Sequence, residues 1–528
     1  MQLCYNDFAL KGSGFMSNLT RREFLKTASM AALAMAMPIN VFAADDCTVK
    51  TRYGTFNGFV DEQGVKTWLG IPYAQPPVGK LRWQAPQPLK PSNKTRDAKK
   101  FGFRAVQIDD EEYTIPQSED CLTLNVWKRG NGKNLPVMVW IHGGAFSFES
   151  TSDPIYYGSN FAAANDVVLV TIEYRLNIFG FINFASIDSA YEDCGYLGMK
   201  DQIAALKWIN ENIAEFGGNP DNVTVFGESA GSTAIMLLLV TPAAKNLFQK
   251  AIPQSGSIFL YNKPQQSVKI VEEFMEFAGA KKIGDLMRKS TAELKNIYEK
   301  FTESRGRNLV DYIPTCDGKY LPIDPEKALK SGDARGIKLM TGTTADEWRY
   351  FLNIVENFFE ILREEPQRNS VILSRYKART PDQIYRAWLK NRPDTEENFE
   401  NFTNQLDWRV GQELSAEYQS NFDDVYYYLF SEWSAIENLR SCHAVDLNFT
   451  FNNGDHIVPN PNQTLVKAVQ TTWAAFATTG NPDNEFIPHW EKYSAENRQT
   501  MELNSKGCVL HKDLNTQNLN SLRYVYES

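Results

Sequence analysis

A serine stands between two glycines in Gly227-Glu228-Ser229-Ala230-Gly231, preceded by a short β-branched run, Val223–Phe226, and followed by an apolar stretch of helical character reaching Leu239. This is the GxSxG pattern of a nucleophile elbow. The strand-to-helix turn is tight enough to lift a serine hydroxyl clear of a sheet edge, and the small residues two places away on either side let strand and helix pass closely. A serine so placed also lies at a helix N-terminus, where free N–H groups favour developing negative charge. The chemistry would be attack on a carbonyl carbon. It needs a base for the hydroxyl proton, an acid to orient the base, and N–H donors for the oxyanion. Five letters are weak evidence in a chain of 528 residues, so the rest of the chain must supply these parts.

Candidate bases are few: histidines occur at 142, 443, 456, 489 and 511. Seven cysteines (4, 47, 121, 194, 316, 442 and 508) are scattered without a CxxC or a histidine-rich cluster, so no metal site is suggested. A formal net charge of −9, with no basic run interleaved with aromatics, argues against a nucleic-acid or anionic-membrane surface. With 43% hydrophobic and 23% charged residues the chain has ample core for a globular enzyme.

The elements that must position the serine read as alternating strands and helices. A glycine-punctuated β region, Val49–Leu69, runs into the proline-rich stretch Trp68–Leu89, which is expected to be irregular. Strands are expected at Ser118–Trp127, at Pro136–Phe146 (ending in glycines) and at Val167–Tyr174. A helix over Met199–Phe216 puts Met199, Ile203, Leu206, Ile213 and Phe216 on one face and stops at Gly217 and Gly218. After the elbow, strands are expected at Ile337–Thr341 and Val425–Phe430, and a last helix at Gln463–Thr479 before Gly480. Residues 260–312 and 348–420 read as helical, aromatic-rich insertions above a mainly parallel sheet with helices on both faces.

The N-terminus carries a separate signal. Arg21 and Arg22 precede a modest apolar run, Ala28–Met37, and the small-residue pattern Val41-Phe42-Ala43, which together read as a twin-arginine export signal over 1–43. The run is too short for a membrane anchor, which needs ~20 residues. The fifteen residues ahead of Met16 fit neither part of the signal and leave Met16 as an alternative start. Export implies a periplasmic or secreted protein that meets the twin-arginine machinery. Because such a protein crosses folded from a reducing compartment, the mature cysteines are expected to be largely free thiols.

Several segments carry a resemblance: GIPYAQPPVGKLRW, SEDCLTLNVW, HGGAF, the run from Tyr196 to Gly231, QSGS at 254–257, GTTADEW and WAAFATTGNP. In this order, over about residues 48–505, they resemble the type-B carboxylesterases of the α/β-hydrolase fold. PQSEDC is closer to the bacterial para-nitrobenzyl esterase kind than to the cholinesterases, and no tryptophan precedes Cys121 where a choline site would want one. The resemblance implies one α/β-hydrolase domain over 44–528, a small-molecule ester as substrate and no cofactor. It puts the base after the serine, which removes His142, and matches His443 in RSCHAVDLNFTF; His456 is the competitor. It aligns the acid with Glu347, with Asp346 as the neighbour to exclude. The oxyanion donors fall on Gly144, Ala145 and Ala230, and Glu228 and Ser255 match polar residues near the triad. One departure stands out: Cys121 usually pairs with an upstream cysteine, and Ala105 occupies that place.

The expected activity is therefore serine carboxylic-ester hydrolysis. The competing readings are a lipase for long-chain esters and an inactive binding protein on the same fold. The aromatics Trp348, Tyr350, Phe351, Phe358, Phe359, Trp388, Phe399, Phe402 and Trp408 suit either an apolar gorge or an ordinary core.

Overall fold

The strands β7 (Leu135–Ile141) and β8 (Val168–Ile172) are almost wholly buried, and their continuous apolar runs mark strands covered on both faces. The computed structural model describes residues 47–527, apart from 109–113, 306–310, 354–357, 365–371, 374, 375 and 377. The twin-arginine reading, with its cleavage at Ala43, lies outside the described residues.

The remaining strands, in chain order, are β1 (Thr48–Thr51), β2 (Gly54–Asn57), β3 (Phe59–Val60), β4 (Val65–Pro72), β5 (Thr95–Asp97), β6 (Thr123–Arg129), β9 (Gly218–Glu228), β10 (Lys250–Gln254), β11 (Lys338–Thr344), β12 (Val425–Phe430), β13 (Gln499–Leu503) and β14 (Val509–Lys512). Eleven of the strands form one sheet in the order β14-β13-β12-β11-β10-β9-β7-β8-β6-β4-β3, and β1, β2 and β5 form a small separate one. The run from β8 through β13 is parallel throughout. Antiparallel pairs flank it on both sides, β14 on β13 at one end and β8-β6-β4-β3 at the other. Two hydrophobic clusters lie against the sheet, one containing Val139, Val225, Ile235 and Leu206, the other Trp140, Phe226, Phe451 and Trp473. Helices therefore cover both faces, and the sheet is mainly parallel, as the alternating pattern predicts.

Local differences have local causes. β9 starts at Gly218, well before Val223, because Gly218 pairs with Leu135 through an irregularity in the ladder; Asn-Pro-Asp-Asn reads as a turn in isolation. The strand expected from Ser118 begins only at Thr123. The helix predicted at Met199–Phe216 is α-helical over Leu197–Asn212 and tightens to a 3₁₀ turn over Ile213–Phe216, where Gly217 at φ +90° ends it. The strand Val425–Phe430 and the helix Gln463–Thr479 have the predicted bounds, and Gly480 caps the latter at φ +77°.

Register brings the site together. Ile141 pairs with Gly227, Gln254 with both Glu228 and Gly342, and Thr344 with Phe430, so the carboxyl ends of β7, β9, β10, β11 and β12 lie side by side. Loops leaving that edge carry residues 142–151, Ser229, Glu347 and His443, where open α/β sheets bind ligands.

Candidate active site

Ser229 sits between β9 and the helix Ala230–Leu239 with φ +55° and ψ −118°, a conformation costly for a residue with a side chain. Its N–H bonds the Gln254 carbonyl at 3.0 Å, and its own carbonyl accepts from Thr233 at 2.9 Å, so both neighbours hold the turn. The flanking glycines are sterically required. A Cβ on Gly231 would lie 2.0 Å from the Ile141 carbonyl oxygen, and one on Gly227 would lie 2.5 Å from the same atom. Ser229 itself stays partly accessible, while Glu228 and Ala230 are buried.

The loop leaving β7 is the second part. Gly144, Ala145 and Phe146 all have positive φ (+83°, +50° and +57°), which turns successive N–H groups toward one side. Among the described residues none accepts a backbone hydrogen bond from Gly144 or Ala145, and Ala230 N–H opens its helix with no turn before it. The loop is braced from outside: Asn177 donates its amide N–H to the Phe146 carbonyl at 2.7 Å, and its side chain donates to the Ser147 and Val106 carbonyls. A Cβ on Gly143 would lie 3.3 Å from Ser229 Cβ, so loop and elbow are in contact.

Glu347 and His443 form the third part. Glu347 Oε2 lies 2.6 Å from His443 Nδ1, and Glu347 Oε1 accepts the Thr344 N–H at 2.8 Å. Both residues are buried, at 1% and 6% exposure. Asp346 turns away; its carboxylate accepts the Ser441 N–H at 3.3 Å and lies 3.8 Å from Arg440. The other nitrogen of His443, Nε2, lies 3.0 Å from Glu228 Oε1, although that oxygen accepts no aligned hydrogen bond. Among the described residues Ser229 Oγ has no hydrogen-bond partner, and such contacts often tighten only once substrate is bound. Burial alone would lower the imidazole, but Glu228 and Glu347 outweigh it and hold His443 well above its ordinary range.

Sequence reasoning missed further carboxylates held in and behind this sheet edge. Asp446 is 1% exposed, accepts from Gln254 Nε2 at 2.7 Å, and is pushed up to about 7 by burial and by the charge of Glu228. Glu149 follows the Gly144 turn at φ +72° and accepts the Tyr156 hydroxyl at 2.7 Å. Glu173, at the end of β8, is 1% exposed and accepts from Ala105 N, Ser150 Oγ, Thr151 N and Thr151 Oγ1. Nothing in their local sequence marks Asp446 and Glu173 as buried or Glu149 as held in this loop, because that depends on which loops the sheet brings together.

The other candidates fall elsewhere. His142 is buried, stacks on Tyr174 and is driven down to about 3 by burial. His456 is exposed, His489 pairs with Asp483 and His511 with Glu502. Ser255 is buried at φ +50°, and its hydroxyl has no hydrogen-bond partner among the described residues. The aromatic set divides. Trp408 lies 4.4 Å from the His443 ring, with Trp348 and Tyr350 beside it, whereas Trp388, Phe399 and Phe402 pack on one another as core. Cys121, Cys194, Cys442 and Cys508 form no disulfide.

A strained serine elbow, an N–H loop beside it and a glutamate–histidine pair at one sheet edge are the parts of a serine acyl-transfer site. Residues 45–522 match the Carboxylesterase family. The chain belongs to that family. It is a carboxylic ester hydrolase of the α/β-hydrolase fold, and it spans most of the length of the relatives it matches. The para-nitrobenzyl esterase of Bacillus subtilis is 38% identical over 480 residues, covering 87% of this chain and 95% of the relative. Human cocaine esterase is 32% identical, covering 84% and 85%. Among solved structures, a thermophilic para-nitrobenzyl esterase superposes with a TM-score of 0.79 at 34% identity. A Geobacillus stearothermophilus carboxylesterase does so with 0.80 at 33%; both cover 90% of this chain and 99% of the other.

Proposed function

We propose that the esterase hydrolyses carboxylic esters through an acyl-enzyme on Ser229, with His443 as base and Glu347 as the acid that orients it. His443 Nε2 takes the hydroxyl proton as Ser229 Oγ attacks the ester carbonyl. The tetrahedral oxyanion takes hydrogen bonds from the N–H groups of Gly144, Ala145 and Ala230. Collapse breaks the bond to the alcohol, which leaves with the proton from His443. Water then attacks the acyl-enzyme by the same proton path, releasing acid and Ser229. The contact of 2.6 Å between Glu347 and His443, at the sheet edge that carries the strained serine, is the observation that carries this reading. The Bacillus relative, similar over 95% of its length and named for para-nitrobenzyl esters, supports esters of that kind as substrates. The test is Ser229→Ala with a fluorophosphonate probe and a p-nitrophenyl ester series: kcat should fall by ~10⁶, and label should leave the protein with Ser229. Label on another serine sinks the assignment, and a preference for acyl chains longer than about ten carbons makes the enzyme a lipase.

The same proposal extends to export. Arg21 and Arg22 ahead of Ala28–Met37 support delivery by the twin-arginine machinery to the periplasm. Changing both to lysine should leave active enzyme in the cytoplasm; arrival in the periplasm through the general secretory route would refute it.

A further inference from the structure

Glu149 stands where a side chain is costly. At φ +72° it occupies the left-handed region that favours glycine, and its neighbours over-determine that conformation. On one side, Ser147 and Phe148 donate to the Gly144 carbonyl, and a Cβ on Gly144 would meet Glu149 Cβ at 3.1 Å. On the other, Ser150 and Thr151 are tied to the Glu173 carboxylate, while Gln107 Nε2 donates to the Glu149 carbonyl at 2.9 Å. The residue keeps part of its surface accessible. Ser229 and Glu149 thus flank two adjacent glycines, Gly143 against the serine and Gly144 against the glutamate.

A second feature nearby, against Gly143, points to a ligand. Glu228 Oε1 is buried, accepts no aligned hydrogen bond, and lies 3.0 Å from His443 Nε2. In the acyl-transfer reading, on which this inference rests, the departing alcohol must lie beside Nε2 to receive its proton. Glu228 therefore faces the alcohol side of the ester, and Glu149, set against Gly144 and near enough for its charge to act on Glu228 and His443, adds a second negative group to that side. We propose that Glu149 is a specificity-determining residue of this esterase, favouring esters whose alcohol carries a positive charge and disfavouring those whose alcohol carries a carboxylate.

The groups facing Glu149 set when it is charged. Burial pushes its carboxyl up to about 8; the hydrogen bond from Tyr156 and the charge of His443 oppose this, while Glu228 and Asp153 add to it. Tyr174 and Tyr350 also feel its charge. Selectivity for a cation should therefore grow as pH rises through about 8.

The test compares three acetate esters of matched shape, whose alcohols end in tert-butyl, trimethylammonium or carboxylate. The ratio of kcat/KM between cationic and neutral esters is read within each enzyme, which divides out the titration of His443 and any general loss of structure. In the parent the ratio should rise with pH across the Glu149 titration. In Glu149→Gln it should be about tenfold lower at high pH and flat, and the carboxylate ester should gain relative to the neutral one. Glu149→Gly, which relieves the backbone, should lose the selectivity in the same way without loss of thermal stability. An unchanged ratio in either variant overturns the proposal, as does collapse of the ratio in Glu228→Gln alone. Neutral-ester hydrolysis that survives Ser229→Ala would instead defeat the acyl-enzyme reading.

Discussion

Glu347 holds His443 twice: its carboxylate Oε2 lies 2.6 Å from the imidazole Nδ1, and its backbone carbonyl accepts the His443 N–H at 3.2 Å. Side chain and main chain together fix both the ring's orientation and its distance from the end of β11. Asp346, one residue earlier, binds Ser441 instead, accepting its N–H and donating to its carbonyl at 2.9 Å. The adjacent carboxylates thus divide the work, one toward the ring and one toward the loop that carries it.

This division predicts unequal effects of the two amides. Glu347→Gln keeps the shape but favours the wrong tautomer, and kcat should fall by ~10³ to 10⁴. Asp346→Asn should cost about 1 kcal/mol of stability through the loop contact and leave kcat within about threefold, because Asn can still accept from Ser441. Steady-state rates after circular dichroism checks of folding decide it. A crippled Asp346→Asn with a healthy Glu347→Gln would reverse the roles.

Glu228 should be visible in the pH profile. His443 is held well above its ordinary range by the charges of Glu228 and Glu347, and only neutral imidazole can act as base. Activity must then rise with pH through that elevated value. Removing one of the charges with Glu228→Gln lowers the value, so the acid limb of kcat/KM should move down by ~1 unit or more. A limb that stays put would mean that Glu228 is protonated throughout the working range and exerts no charge on the ring.

How much of this was legible in the sequence follows from what each feature depends on. The elbow was legible because Gly227, Ser229 and Gly231 act through local backbone geometry, and Ile141 forbids a side chain at either glycine. Strands such as Val425–Phe430 and the helix Gln463–Thr479 were legible because an apolar run or periodicity is itself what the fold buries. Choosing Glu347 over Asp346 needed the family resemblance, since neighbouring carboxylates in one loop look alike until the chain direction is known. Glu149, Glu173 and Asp446 were not legible at all. Their roles come from contacts such as Asp446 with Gln254, separated by 192 residues, which no local pattern encodes. The aromatics of residues 348–408 were legible only as a class, and it took packing to separate Trp408, against His443, from Trp388 in the core.

Glu173 offers the last prediction. Its carboxylate accepts from Ala105 N at 3.2 Å through one oxygen, and from Ser150 Oγ, Thr151 N and Thr151 Oγ1 at 3.0, 2.9 and 2.9 Å through the other. It thereby ties the segment after the glycine loop of residues 143–146 to the segment around Ala105, where the family resemblance would have led to a cysteine. Glutamine is nearly isosteric but can accept through only one of its two ends. Its best orientation keeps the oxygen toward Thr151 and Ser150, which turns an NH₂ group against the Ala105 N–H and leaves a buried donor unpaired. Such a loss costs ~1 to 3 kcal/mol, so Glu173→Gln should melt earlier than the parent. Because residues 142–151 form one braced loop, the N–H groups of Gly144 and Ala145 should also be held less firmly, and that affects the transition state more than the bound ester. The expected kinetic signature is therefore a fall in kcat of about tenfold with KM little changed, together with weaker binding of a trifluoromethyl ketone that mimics the tetrahedral adduct. A variant that melts earlier but keeps the parent's kcat and ketone affinity would show that Asn177, through Phe146 and Ser147, suffices to hold the loop and that Glu173 only stabilises the fold.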